Sequence, residues 1–178
     1  MEKWQQKSAH GKPACKRSSD VLRLSVSILA LIFSTSIALA DQCDSGRIAL
    51  RGDWGQAAFN VEIADTAELR SKGLMHREEM ARQDGMLFIF DAPRHATFWM
   101  RNTLIPLDML FAGNDGVVTT FHSNAIPHDE TLIPGGDDIM YVLEINGGLS
   151  ELYGIGVGTE FKHNSIPADL ASWPCLAE

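Results

Sequence analysis

The chain is poor in the residues that most readily announce chemistry. Three cysteines occur in 178 residues, too few for a disulfide-dense scaffold and without the close Cys/His spacing of a structural zinc site. No Ser-His-Asp pattern and no nucleophile elbow is present, which leaves a serine-hydrolase reading without a warrant. Positive charge is scarce: 15 Lys and Arg stand against 23 Asp and Glu, a formal net charge of −8. Such a balance repels phosphate backbones, so no nucleic acid is expected among the partners. Internal repeats, low-complexity tracts and internal linkers are missing too, and one domain is the default.

What is present begins with a leader. Residues 1–40 carry Lys3, Lys7, Lys12, Lys16, Arg17 and Arg23 against Glu2 and Asp20, then an uncharged run from Leu24 to Leu39, then Ala38-Leu39-Ala40. A basic region, an apolar stretch and a small-x-small end make a secretory signal peptide. The apolar run is shorter than the roughly 20 residues a spanning helix prefers, so an uncleaved anchor ranks second, and membrane contact is expected only through this segment if it is retained. A start nearer Val21 would shorten the basic region. Lys16-Arg17 is not a twin-arginine pair, and Cys43 does not directly follow the cleavage point, so neither folded export nor a lipid anchor is indicated. Cleavage removes six basic and two acidic residues and takes the formal charge of the remaining domain, residues 41–178, from −8 to −12. Cys43 and Cys175 are then the remaining pair, and an oxidising compartment predicts one disulfide between them. The expected location is outside the cytoplasm, periplasmic or secreted.

Periodicity sets out a β-rich domain. Ile48–Leu50 and Ala57–Ile63 read as a strand pair around Gly52-Asp53-Trp54-Gly55, with Phe59, Val61 and Ile63 alternating against Asn60 and Glu62. Asp65 as N-cap with Glu68 three residues on predicts a short helix over Thr66–Lys72, stopped by Gly73. Met86–Phe90 is apolar on both faces, the mark of a central strand. Asp91–His95 is expected to turn the chain, with Thr97–Arg101 returning as the next strand. Leu107–Phe111 and Val117–Phe121 flank a Gly113–Gly116 hairpin loop. His122–Asp138 reads as the longest irregular segment, Ile139–Ile145 as a strand, Leu149–Tyr153 as a short helix and Gly158–Phe161 as a last strand. The fold class is therefore mainly β with short helices (α+β), an antiparallel sheet curled toward a partly closed barrel.

Two carboxylates break this apolar pattern. Asp108 points with Leu110 between Leu107, Met109 and Phe111, and Glu144 points with Met140 and Val142. A carboxylate in such surroundings needs a partner or protonates. The cations available in apolar contexts are Arg70, Arg77 and Arg101, while Asn102 and Thr103 suit backbone groups at a turn. One reading is a structural ion pair with a capped turn. The other is a ligand pocket at the end of the sheet, formed by Met75, Arg77, Trp99, Met100, Arg101, Asn102, Asp108 and Glu144: apolar walls with a few convergent polar groups.

Five motifs then occur in order: Gly73-Leu74-Met75-His76-Arg77, Gly85-Met86-Leu87-Phe88, Phe98-Trp99-Met100-Arg101-Asn102-Thr103, Pro106-Leu107-Asp108 and Tyr141-Val142-Leu143-Glu144. Together they resemble the prokaryotic domain of unknown function 192 family, also called uncharacterised protein family 0127, over about residues 47–161. The resemblance implies a small β-rich, barrel-like domain, often exported, and no settled activity or catalytic residues. The cysteine pair lies outside the shared motifs.

Three function classes follow. The foremost is an envelope binding or accessory domain for a small molecule or a protein, monomeric and without a cofactor. A carboxylate-based hydrolase of envelope glycans would use Asp108 and Glu144 as acid and base. A periplasmic copper-binding protein would use thioether ligands, although the methionines are dispersed and suit core filling. No metal ligand set and no catalytic set is assigned.

Overall fold

The computed structural model describes residues 43–175; the leader lies outside the described residues. Seven strands and two short helices follow in the order β1 (Arg47–Gly52), β2 (Gly55–Ala64), α1 (Ala67–Lys72), β3 (Asp84–Phe98), β4 (Leu107–Ala112), β5 (Val118–Ala125), β6 (Ile133–Asn146), α2 (Leu149–Tyr153) and β7 (Glu160–Lys162). They form one sheet in the order β5-β4-β6-β3-β2-β1-β7. The sheet curls into a half-barrel whose edge strands approach each other through the bridge between Val117 and Glu160. All pairings are antiparallel except β2 with β3. That parallel pair requires a crossover, and the segment containing α1 supplies it.

Alternation along the strands sends side chains to two cores. Ile48, Leu50, Phe59, Leu87, Leu110, Tyr141, Leu143 and Phe161 fill the inner face, closed by Leu149 of α2 and Ile155. Met86, Phe88, Met109, Phe111 and Val142 belong to the outer face. There they meet Leu74, Met100, Ala125, Ile133 and Ile139 from the connecting segments and the extended strand ends. Burial on both faces explains why β4 is buried along its whole length.

Several expected boundaries move. Thr66, not Asp65, caps α1, its Oγ1 accepting the N–H of Leu69 at 3.2 Å, because Thr66 is the residue with extended φ and ψ at the helix start. Gly73 ends the helix with φ of 48° and its N–H on the Leu69 carbonyl, as its freedom at positive φ predicts. The expected turn at Asp91–His95 is instead a bulge inside β3. Ile89 pairs with Tyr141 and Arg94 with Ile139, so five steps on β3 oppose two on β6, and Pro93 sits in the looped-out part where no ladder N–H is needed. Thr97 and Phe98 therefore continue β3 rather than starting a returning strand, and Trp99–Arg101 lie in the connection to β4.

The irregular segment expected over His122–Asp138 shrinks to residues 126–132, because β5 runs on to Ala125 and β6 starts at Ile133. Pro134 is tolerated because β6 ladders there with β3 alone; its pairs with β4 begin at Tyr141. Gly135 is required where the Phe111 ring lies against the strand, since a Cβ would overlap that ring.

The ends of the domain are tied together. Cys43 and Cys175 form a disulfide across 132 residues. Buried His163 accepts the N–H of Ser165 on Nδ1 at 3.1 Å, so Nε2 donates to the Ser45 carbonyl at 3.0 Å. Burial lowers the imidazole pKa and keeps this neutral form. Trp173 lies under Arg51 at 4.6 Å and Lys162 at 5.3 Å. Closing so long a loop restricts the unfolded chain by about 5 kcal/mol in the chain-entropy model. Replacing both cysteines by serine is expected to lower unfolding free energy by about 2–5 kcal/mol in urea titrations. A loss below about 0.5 kcal/mol would assign the closure to His163 and Trp173 instead.

Candidate functional site

The two carboxylates have opposite surroundings, and strand geometry is the cause. Asp108 pairs laterally with Ile145, an inner-face residue, and Met109 pairs with Glu144 on the outer face. In-register neighbours share a face, so Asp108 and Glu144 face opposite sides of the sheet.

Asp108 is fully buried and is satisfied by backbone alone. Oδ1 accepts the N–H of Asn124 at 2.6 Å and of Gly148 at 2.8 Å, and Oδ2 accepts that of Ser150 at 2.6 Å. Asn124 adopts φ of 54° beside it. Gly148 has no side chain to cap α2, so Asp108 performs that role from β4. It is a structural tie between β4, β5 and α2.

Glu144 is 4 % exposed. Its neighbours across the ladders are Met86 and Met109, which offer no donors, and no hydrogen bond or ion pair from the described residues reaches it. The cations weighed as partners are engaged elsewhere or lie apart. Arg77 holds Glu62 through two nitrogens, at 2.7 and 2.9 Å. Arg70 donates to the Asp65 and Ile89 carbonyls at 2.6 and 2.7 Å and to Asp91 at 3.2 Å. Burial pushes the Glu144 carboxyl up to about 8.

Above Glu144 the outer face opens. A small cavity of about 50 Å³ has Glu144 and Thr103 among its lining residues. It shares Arg70, Ser71, Met75, Phe88, Phe98 and Trp99 with a wider cleft of about 570 Å³. One wall of that cleft is α1, another is the end of β3 beyond the bulge, and the third is the 99–102 connection. Phe98 packs edge-on against Phe88 at 5.2 Å and against Phe111 at 5.5 Å, which fixes the aromatic wall. Arg94 lies over the Phe90 ring at 5.1 Å and Arg101 over Trp99 at 5.6 Å. Neither has an ion-pair partner among the described residues. His95 meets Asp137 at 2.7 Å.

Of the residues assigned to a pocket from sequence, the structure brings together Met75, Trp99, Arg101, Asn102 and Glu144. Asn102 holds the turn at φ of 55°, its carbonyl accepting the His76 N–H. Met100 is fully buried in the outer core, Arg77 is paired with Glu62, and Asp108 faces the other core, so these three line neither cavity. Arg94, His95, Phe90 and Phe98 were not among the expected site residues. Their sequence signal, a basic and aromatic cluster around Pro93, reads as a turn. Among the described residues no group of three or more His, Cys, Asp or Glu side chains converges, and no helix is long and apolar enough to cross a membrane.

The described residues thus form a curled sheet with a basic-rimmed aromatic cleft on its outer face. The chain belongs to the domain of unknown function 192 family, described as an uncharacterised ACR, whose model matches residues 49–163. A solved protein of unknown function from Novosphingobium aromaticivorans DSM 12444 is 43% identical, with TM-score 0.63, over 65% of this chain and 82% of that one. A protein from Sinorhizobium meliloti 1021, provisionally described as a transcription regulator, is 39% identical, with TM-score 0.64, over 67% of this chain and 94% of that one. No curated protein matches.

The two carboxylates respond differently to substitution. Asp108→Ala leaves three backbone N–H groups without their acceptor and is expected to cost about 3–5 kcal/mol in urea unfolding. Glu144→Gln removes an ionisable group that the folded state holds protonated. Between pH 4.5 and about 8, the folded chain keeps a proton that the unfolded chain has released. Stability from Glu144 is therefore complete below pH 4.5 and declines toward pH 8, by on the order of 3–5 kcal/mol. Urea midpoints across that window should fall in the native chain and fall less in Glu144→Gln; equal slopes would contradict this assignment.

Proposed function

We propose that this is an exported binding domain whose site is the cleft between α1, the end of β3 and the 99–102 connection, and that it takes small amphipathic anions without chemical turnover. The observation that carries the reading is the rim. In a chain of formal net charge −8, Arg94 and Arg101 are held on aromatic faces, and no carboxylate among the described residues pairs with them. A guanidinium ordered by stacking loses little freedom on meeting a carboxylate or phosphate. The walls of Phe88, Phe90, Phe98 and Trp99 suit an apolar body.

Export is supported by the leader pattern and by the Cys43–Cys175 disulfide. A carboxylate hydrolase would need Asp108 and Glu144 on one substrate, and they face opposite sides of the sheet. The regulator description belongs to the Sinorhizobium protein; the net charge of the present chain opposes a phosphate backbone.

The test uses octanoate and octyl phosphate on the disulfide-bonded chain, followed by tryptophan fluorescence and calorimetry. Saturable binding that quenches Trp99, weakens with salt and falls at least about tenfold in Arg94→Ala/Arg101→Ala is expected. No saturable binding, or equal binding by the double variant, would overturn the reading.

A further inference from the structure

The treatment of the two buried carboxylates is unequal. Asp108 receives three N–H donors, whereas Glu144 receives none from the described residues. Glu144 lies where the outer core opens into a cavity. A buried carboxyl without a partner is costly, and the cavity beside Glu144 adjoins the cleft, with six lining residues in common. Met86 and Met109 beside it cannot supply a counter-charge. The cavity, about 50 Å³, has room for one small group of a few atoms. Phe88, Phe98 and Trp99, common to the cavity and the cleft, present the kind of surface that attracts cations. At the outer end stand the guanidinium groups of Arg94 and Arg101, which call for an anion.

Resting on the cleft reading above, we propose that the ligand is a zwitterion of amino-acid type: a primary ammonium seated against Glu144, a short apolar chain past the aromatic wall, and a carboxylate on Arg94 and Arg101. The ammonium meets the carboxylate as an ion pair, so Glu144 gives up its proton when the amine arrives. The other charged groups lining the inner cavity are Arg70 and Lys72, both from the α1 side. Met86 of β3, Met109 of β4 and Thr103 of the 99–106 connection bring no charge.

The test compares ω-aminopentanoate, ω-aminohexanoate and ω-aminooctanoate with pentanoate, hexanoate and octanoate by calorimetry on the disulfide-bonded chain. The best-fitting amino acid should bind at least about tenfold tighter than its plain carboxylate near neutral pH. That preference should vanish in Glu144→Gln. Below the Glu144 pKa of about 8, the native chain's affinity for the amino acid should rise about tenfold per pH unit, with roughly one proton released into the buffer. The proton count is read on the native chain, so the outcome does not depend on the variant folding. Equal binding of both series, or binding without proton release, would overturn the zwitterion while leaving the anion cleft standing. If neither series binds, and octanoate and octyl phosphate also fail, the cleft reading falls with it.

Discussion

The carboxylate of Asp108 gathers backbone N–H groups from Asn124, Gly148 and Ser150, and the neighbouring geometry depends on it. Those three donors belong to the end of β5, the glycine before α2 and the first turn of α2. Each would otherwise lie at a chain reversal near the inner core. A single acceptor with two oxygens and no competing charge fixes all three at once. With Asp108 committed to the inner side, the alternation of β4 sends Met109 outward, and register with β6 places Glu144 beside it. The place of Glu144 on the outer face is in this sense a consequence of how the inner face is tied.

The outer face carries the features that folding alone does not require. A sheet needs only apolar cover there, and Phe88, Met109, Phe111 and Val142 provide it. Glu144 in the same layer and two stacked, unneutralised arginines above it run against the apolar pattern. Local conflict with an otherwise self-consistent sequence is where function is sought. The bulge in β3 carries Pro93 out of the ladder and gives the chain a bend at which Arg94 and His95 line the cleft.

Much of the frame is legible in the sequence because its signals are local. The alternation of Phe59, Val61 and Ile63, the apolar run at Met86–Phe90 and the glycine after Lys72 each identify an element within a few residues of the observed bounds. Elements whose signals depend on a partner strand are harder to read. Pro93 and Pro134 look like breaks until it is known that one is looped out and the other ladders on one side only. The carboxylates show the same limit. Both stand out as polar groups in apolar strands, but Asp108's donors lie 16, 40 and 42 residues away. Nothing near it in sequence distinguishes it from Glu144. Arg94 is hidden for a related reason, since a basic residue beside proline reads as a solvated turn.

Glu144 stands in a small cavity beside the open cleft with no hydrogen-bond or ion-pair partner among the described residues. The most direct measurement follows glutamate side-chain carboxyl ¹³C resonances through a pH titration of the disulfide-bonded chain, with Glu144 assigned by its loss in Glu144→Gln. An unpartnered, buried Glu144 titrates near 8. A Glu144 resonance titrating near the ordinary 4.5 would show that solvent or a donor already satisfies the group, and that Glu144 is no vacant ligand site.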